Sequence, residues 1–190
     1  MDSDFLQFFQ NQWQGIVVFC MGALGVCLTI RQTIWCWPVS LIAVLLSILM
    51  FFEERLYGDM ALQVFYFFAG IYGWTYWNKN KHTPFVIRRA NLKELPYLIL
   101  VTVGQTVLYY YLLLYFKGDK PLFDAVLTAC SLTVTYMMTK KWLENWMIWV
   151  FIDTAYILLY CLKEMWFFAA LNLIMAILAG YGYFKWRKTL

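Results

Sequence analysis

Apolar residues run along the chain in seven long stretches, separated by short breaks that carry charge, Gly or Pro. The stretches cover 14–30, 35–52, 58–77, 93–116, 122–138, 143–162 and 165–185. Each approaches the roughly 20 apolar residues that a helix needs to cross a bilayer. Strands of a membrane barrel are about half as long and alternate apolar with polar residues. The pattern therefore predicts an all-α membrane protein with seven transmembrane helices.

Composition agrees with a lipid environment. Of the 190 residues, 63% are hydrophobic and 14% are charged, whereas a soluble domain has about 45–50% apolar and about 25% charged residues. The first residues are acidic, at Asp2 and Asp4, while a cleavable signal peptide starts with basic residues. We therefore expect uncleaved spans, preceded by a segment over 1–13 that lies in the membrane interface.

The basic residues divide unevenly between the two ends of the spans. Four of the Lys and Arg residues fall on the N-terminal side of the membrane, and eleven fall on the other side. Cytoplasmic loops carry the excess of positive charge, so we expect the N-terminus outside and the C-terminus in the cytoplasm. This topology explains the net charge of +4 without a nucleic-acid partner.

The chain also matches itself at an offset of 109 residues, without gaps; residues related by this offset are called offset mates below. The most specific pairs are Trp37 with Trp146, Gly73 with Gly182, and Trp77 with Trp186. The offset predicts a first three-helix repeat over 14–77, a loop and linker helix over 78–121, and a second repeat with a cytoplasmic tail over 122–190. A single linking helix makes the repeats parallel, an architecture of transporters whose substrate binds near the bilayer midplane.

Two amide side chains inside the apolar stretches are offset mates. Gln63 lies in the third stretch and Asn172 in the seventh. Each amide offers both a donor and an acceptor, which suits the hydroxyl or amide groups of a polar ligand. Asn and Gln also join membrane helices by hydrogen bonds. We expect these residues either to bind a substrate or to hold helices together.

One carboxylate lies in the middle of the sixth stretch. Asp153 has no Lys or Arg at similar depth, and ionisable groups within a membrane are expensive unless they are paired or hydrated. Trp149 and Tyr156 share its helix face, because their spacing is i, i+4, i+7. Such a face suits a flat cation; ordinary packing is the alternative. Asn145 and Gln105 are weaker candidates, and Asn145 could simply cap a helix.

Several chemistries have no pattern in this chain. A phosphate-binding GxxxxGK[ST] loop and an HExxH motif do not occur, and the five cysteines form no CxxC pair. These motifs supply nucleotide phosphate binding, metal binding and redox chemistry in other proteins. We therefore expect neither an enzyme nor a cofactor or metal site.

Two stretches resemble the PnuC family of bacterial nicotinamide riboside transporters. GDMALQVFYFFAGIYGWTYW (58–77) holds the Gln-x-x-Tyr and Tyr-Gly-Trp elements, and TYMMTKKWLENWMIWVFIDTAYILLY (135–160) holds Lys-Lys-x-x-Glu-Asn-Trp and Asp-x-x-Tyr. The resemblance runs from about Trp35 to Trp186. It implies a SWEET-like fold of three helices, one linker and three helices.

The resemblance also implies a function and partners. It implies uptake of nicotinamide riboside, a form of vitamin B3, by facilitated diffusion across the bacterial inner membrane for NAD biosynthesis. A cytoplasmic kinase would trap the product, and the chains would form a homo-oligomer. The ring of this ligand would meet Trp149, Asp153 and Tyr156. The ribose and carboxamide would meet Gln63, Asn172 and Asn145, and Tyr66 lies three residues after Gln63 on the same helix face.

Two mechanisms stay open at this point. One is an alternating-access uniporter for nicotinamide riboside. The other is a proton-coupled carrier of a related nucleoside or thiamine-like cation, in which Asp153 takes up and releases the proton. A dependence of uptake on the proton gradient would separate them.

Overall fold

The computed structural model describes residues 2–53, 57–81, 86–116, 120–162 and 164–190, and within these ranges all side chains except those of 2–12, 57–59 and 61. In these ranges the chain forms seven α-helices. They are α1 Asp2–Ile30, α2 Cys36–Glu53, α3 Tyr57–Lys79, α4 Leu95–Tyr115, α5 Pro121–Thr139, α6 Asn145–Leu162 and α7 Trp166–Arg187. Each helix overlaps one apolar stretch, and the predicted all-α class is confirmed.

The helix boundaries differ most from the sequence pattern at the N-terminus. α1 is continuous from Asp2 to Ile30, and its part that is apolar enough to span a membrane begins at Trp13. The predicted interfacial segment 1–13 is therefore an extension of the first spanning helix. Its side chains up to residue 12 lie outside the described ones, so its interfacial position stays a prediction.

Among the helices of the described ranges, six are long and apolar enough to cross a membrane, and α3 is not one of these six. α3 has 23 residues, which include Gln63 and six tyrosines and tryptophans. Hydropathy scales count such rings as polar, although their bodies bury large apolar areas. The chain is thus a multi-pass membrane protein, and a crossing by α3 stays a prediction.

The helices form two compact units, Met1–Thr83 and Pro84–Leu190. The first unit holds α1 to α3, and the second holds α4 to α7. α4 is the predicted linker helix over 93–116; it packs against α5 and so belongs to the second unit. The first turns of α4 and α5 each contain a proline, Pro96 and Pro121. The backbone N–H that a proline lacks has no partner within the helix at these positions, so its loss costs nothing.

In the first unit, α2 packs against both α1 and α3. The buried rings of Trp37 and Trp77 meet edge to face at the α2–α3 contact, with centroids 5.6 Å apart. α3 passes the Trp37 ring at Gly73, where any Cβ would collide with the indole. The glycine therefore lets the backbone of α3 lie directly against the ring, as small residues do between membrane helices.

In the second unit, α6 packs against both α5 and α7. Trp146 and Trp186 meet edge to face at the α6–α7 contact, with centroids 5.2 Å apart. A Cβ added at Gly182 would come within 2.8 Å of the Trp146 ring. These three residues are the offset mates of the tryptophan–glycine–tryptophan set in α2 and α3. One packing motif therefore occurs once in each unit.

The turns after α1 and α5 also share one conformation. Gln32 and Lys141 are offset mates and have positive φ angles of 57° and 54°. The next backbone N–H donates to the carbonyl five residues earlier, at 3.1 Å after α1 and 3.0 Å after α5. This is the Schellman arrangement that ends a helix. The same turn therefore leads from α1 into α2 and from α5 into α6.

Candidate functional site

The buried carboxylate lies at the middle of α6. Asp153 has only 8% of its surface exposed, and no described residue forms a hydrogen bond or an ion pair with its carboxyl group. An ionised carboxylate in such a place is costly unless a partner compensates it. Asp153 is therefore either protonated or ready to accept a cation or a hydrogen-bond donor.

The aromatic neighbours of this carboxylate on α6 pack towards α5. Trp149 and Tyr156 are half-buried against the core cluster that includes Ile152. Tyr156 also stacks on Tyr160, with centroids 6.0 Å apart and ring planes at 21°. These contacts are the ordinary packing that the sequence leaves open as an alternative. The rings therefore hold the helix face of Asp153 against α5.

Asn145 is the first residue of α6 and is completely buried. Its Nδ2 donates to the carbonyl oxygen of Trp142, and its Oδ1 has no hydrogen-bond partner among the described residues. An N-cap amide would instead accept a backbone N–H through its oxygen. A buried acceptor left unpaired costs about 1–3 kcal/mol. The Oδ1 atom of Asn145 therefore keeps its capacity to accept a hydrogen bond.

Asn172 lies half-buried on α7, where its Nδ2 donates to the carbonyl oxygen of Phe168 at 2.9 Å. This bond stays within the helix, and no described residue donates to the carbonyl oxygen of the Asn172 amide. The Phe168 ring lies 5.6 Å from the ring of Tyr160 on α6. A chain of aromatic contacts through Tyr156, Tyr160 and Phe168 therefore links the two helices that carry Asp153 and Asn172.

Gln63 and Tyr66 lie three residues apart in α3, and both are half-buried. The Gln63 amide forms no hydrogen bond with the described residues. It therefore keeps a donor and an acceptor for a ligand. The first unit thus supplies two of the predicted site residues, and the second unit supplies the other five. Their assembly into one site stays a prediction.

Gln105, the weaker candidate on α4, contacts α5. The Thr133 hydroxyl donates to its Oε1 at 3.4 Å, and the hydroxyl oxygens of Thr102 and Thr133 lie 2.8 Å apart. Side-chain hydrogen bonds of this kind join helices within membranes. The structure therefore gives Gln105 a role in holding α4 against α5.

No sequence pattern indicates the clamp that ties the segment before α4 to the α5–α6 turn. Arg88 donates its backbone N–H to the Lys141 carbonyl at 3.1 Å and accepts the Leu143 N–H at 2.9 Å. Its guanidinium lies 4.6 Å from the Trp142 ring centroid. The same group forms a two-point ion pair with Glu94, at 2.8 and 2.9 Å. The contacts of one arginine therefore hold this turn in place.

Two carboxylates complete the clamp. The hydrogen bond from the Arg88 guanidinium lowers the pKa of Glu94 to about 2, with a further contribution from the backbone N–H of Asn91. Glu144 accepts the backbone N–H of Ala90 at 2.8 Å. Glu144 belongs to the Lys-Lys-x-x-Glu-Asn-Trp element, so this part of the element has a structural role in the second unit.

A family model described as nicotinamide mononucleotide transporter matches residues 12–188. The chain belongs to this family. It is therefore a membrane transporter and not an enzyme.

Two relatives and the solved structure of another protein are similar to this chain. The nicotinamide riboside transporter PnuC of Escherichia coli (strain K12) is 26% identical over 92% of this chain and 84% of its own length. The riboflavin/roseoflavin transporter RibM of Streptomyces davaonensis is 24% identical over 74% of this chain and 68% of its own length. The crystal structure of the vitamin B3 transporter PnuC matches with a TM-score of 0.78 at 20% identity, covering 98% of this chain and 86% of that chain. The last likeness supports the all-helical membrane fold.

Proposed function

We propose that this transporter carries nicotinamide riboside into the cell by facilitated diffusion with alternating access. The observation that carries the proposal is the family match over residues 12–188. The name of the PnuC relative supports the riboside as the substrate. The product would enter NAD biosynthesis after a cytoplasmic kinase has phosphorylated it.

Charge favours the riboside over the mononucleotide. Nicotinamide riboside has a cationic pyridinium ring, a carboxamide and a ribose, while the mononucleotide adds a phosphate group. Phosphate is usually bound by Arg or Lys, but the middle of every predicted span lacks both, and the charged residue at that depth is Asp153. Asp153 would attract the pyridinium cation and repel the phosphate.

The polar groups of Asp153, Asn145 and Gln63, which lack some or all partners among the described residues, suggest how the ligand binds. We assign the pyridinium ring to Asp153 and to the α6 face that Trp149 and Tyr156 support. The buried Oδ1 of Asn145 lacks a partner among the described residues and suits a ribose hydroxyl or the carboxamide N–H. The remaining polar candidates, Gln63, Tyr66 and Asn172, would also contact the neutral part of the ligand.

We also propose an architecture of three helices, one linker helix and three helices (3+1+3). In this arrangement α3 also crosses the membrane, which gives seven spanning helices, and α4 is the linker. It is supported by the tryptophan–glycine–tryptophan motif and the Schellman turn, each of which recurs at the offset of 109 residues. The excess of basic residues supports an outer N-terminus and a cytoplasmic C-terminus. The chain would assemble as a homo-oligomer in the bacterial inner membrane.

Calorimetry of the purified protein with nicotinamide riboside tests the substrate and the residues together. Asn172→Ala and Gln63→Ala should each weaken binding about fivefold, since one hydrogen bond contributes about 1 kcal/mol. Asn80→Ala is the matched control, because its amide also donates to a carbonyl four residues earlier, at 2.8 Å. No binding to the unmodified protein would refute the substrate. Unchanged binding in both variants would refute the residue assignment.

A proton-coupled carrier of a related nucleoside or thiamine-like cation is the second candidate. Asp153, which is buried and has no partner among the described residues, favours this candidate, because such a carboxyl group can bind a proton during transport. Uptake into vesicles should be measured with and without an imposed pH gradient. Uptake that does not depend on the pH gradient supports facilitated diffusion. A severalfold increase that is lost in Asp153→Asn would support proton coupling.

A further inference from the structure

A groove lies between α1 and α2, at the end where the spanning part of α1 begins. It has a volume of about 220 Å³, and its lining includes Trp13, Gln14, Val17, Leu46 and Glu53. We call it the α1–α2 groove. Its position at the first residue of the span places it where water meets the membrane, so a solute can reach it without crossing hydrocarbon.

The second unit has the matching groove between α5 and α6. Its lining includes five residues that are offset mates of residues lining the α1–α2 groove: Leu122, Phe123, Val126, Leu127 and Ala155. This second groove is lined mostly by apolar side chains. A groove at this place is therefore a consequence of how the first two helices of each repeat pack. Its chemistry is set separately in each unit.

The α1–α2 groove differs from the groove of the second unit by its polar side chains. Gln14 replaces the mate Phe123, and Glu53 replaces the mate Leu162. Gln14 Nε2 donates to Glu53 Oε2 at 3.4 Å, which orients the carboxylate. Trp13 is 56% exposed and lines the same groove. One small groove therefore combines a carboxylate, an amide and an open indole.

We propose that the α1–α2 groove is an outer recruitment site that captures the pyridinium cation of the substrate before it enters the transport path. This inference rests on the proposed function. A carboxylate attracts a cation, and an indole face binds a flat cation through its ring. A negatively charged groove raises the local concentration of a cationic ligand and speeds its association. The site therefore acts on capture and leaves the transport step itself unchanged.

Uptake of nicotinamide riboside into proteoliposomes tests this site through the KM and kcat values at two ionic strengths. Glu53→Gln should raise KM about three- to fivefold at low salt, since a charge pair at 4 Å in water gains about 1 kcal/mol. kcat should stay unchanged. The increase should disappear near 1 M salt, where the screening length falls to about 3 Å. Glu53→Asp should restore most of the low KM.

Glu164→Gln is the matched control. Glu164 is an exposed carboxylate just after α6, on the predicted outer side and outside the α1–α2 groove, so its removal should leave KM unchanged. Trp13→Leu copies the mate Leu122 and should raise KM at both salt concentrations, whereas Trp13→Phe should retain part of the affinity. Equal effects of Glu53→Gln and Glu164→Gln would overturn the site, because general surface charge would explain them.

Two further outcomes would also overturn the inference. An effect of Glu53→Gln that requires phosphatidylethanolamine in the vesicles would mean that the carboxylate holds a lipid ammonium. An unchanged KM at low salt, in a protein that transports nicotinamide riboside, would refute the recruitment site alone. Absence of nicotinamide riboside uptake by the unmodified protein would refute the proposed function together with this site.

Discussion

The helices α1–α3 and α5–α7 share a packing frame but differ in the chemistry of their middle helices. The tryptophan pairs Trp37–Trp77 and Trp146–Trp186 have the same edge-to-face geometry. Along α6 the candidate site residues are Asn145, Trp149, Asp153 and Tyr156, and their offset mates on α2 are Cys36, Ser40, Val44 and Ser47. The same frame is therefore built with and without a buried carboxyl group.

This difference bears on why Asp153 is present. Val44 occupies the equivalent place in α2, so the packing of a middle helix does not require a carboxylate there. Burial of an ionisable group without a partner costs stability, and an apolar residue would avoid that cost. The amides Gln63 and Asn172 differ from this case, because both units have one. A shared pair of amides and a single acidic face suit a ligand with a polar body and one cationic ring.

The largest expected effect concerns this asymmetry. Asp153→Asn should reduce nicotinamide riboside uptake about a hundredfold, because opposite charges 4 Å apart near a protein surface attract by up to about 4 kcal/mol. Val44→Ala, at the mate position, should change uptake less than about threefold, because Val44 carries no charge for the cation. Radiolabelled uptake into vesicles measures both. Normal uptake by Asp153→Asn would mean that the carboxylate has no part in binding.

Substitution of Gly73 or Gly182 tests the glycine–tryptophan contact that both units share. Gly73→Ala and Gly182→Ala should each destabilise the protein by about 1–3 kcal/mol, because the new methyl group overpacks the contact with a tryptophan ring. Gly180→Ala is the control: a Cβ there meets nothing within 4 Å, and alanine favours helix by about 1 kcal/mol. Thermal unfolding in detergent measures all three. Equal midpoints would contradict a shared glycine–tryptophan contact.

The smallest expected effect concerns the clamp at the turn of the second unit. The pKa of Glu94 is about 2 in the folded protein and 4.5 without its partners. Because the folded pKa is the lower one, the ion pair with Arg88 contributes stability above about pH 4.5 that is lost as the pH falls towards 2. The protection factors of the Arg88 and Leu143 amides, which are corrected for the intrinsic pH dependence of hydrogen exchange, should therefore fall slightly at low pH.

Glu94→Gln tests whether titration of the Arg88–Glu94 ion pair causes this pH dependence. It should remove the pH dependence at the α5–α6 turn, because the glutamine amide does not titrate. The turn after α1 provides an internal control, since its Schellman bonds have no arginine clamp within the described residues. A pH response of the same size in both turns would show that acid affects the whole fold and not the clamp.

The sequence predicted the helices well and the contacts of the site residues less well. All seven apolar stretches became helices because hydropathy and helical hydrogen bonding act locally. Trp149 and Tyr156 were predicted to flank Asp153 on one face, but the sequence could not decide between an open face and packing against α5. That decision depends on which side α5 approaches, and helical periodicity carries no such information.

The sequence by itself determined the class of the protein, its repeat and its polar candidates. Apolar length, the placement of charge and the offset of 109 residues are properties of the linear chain. The tertiary structure decided which polar atoms are left without partners among the described residues, as for Asn145 Oδ1. It also decided which distant residues meet, as for Ala90 and Glu144, which are 54 positions apart. Such contacts form only when helices pack, because no local periodicity in the chain encodes them.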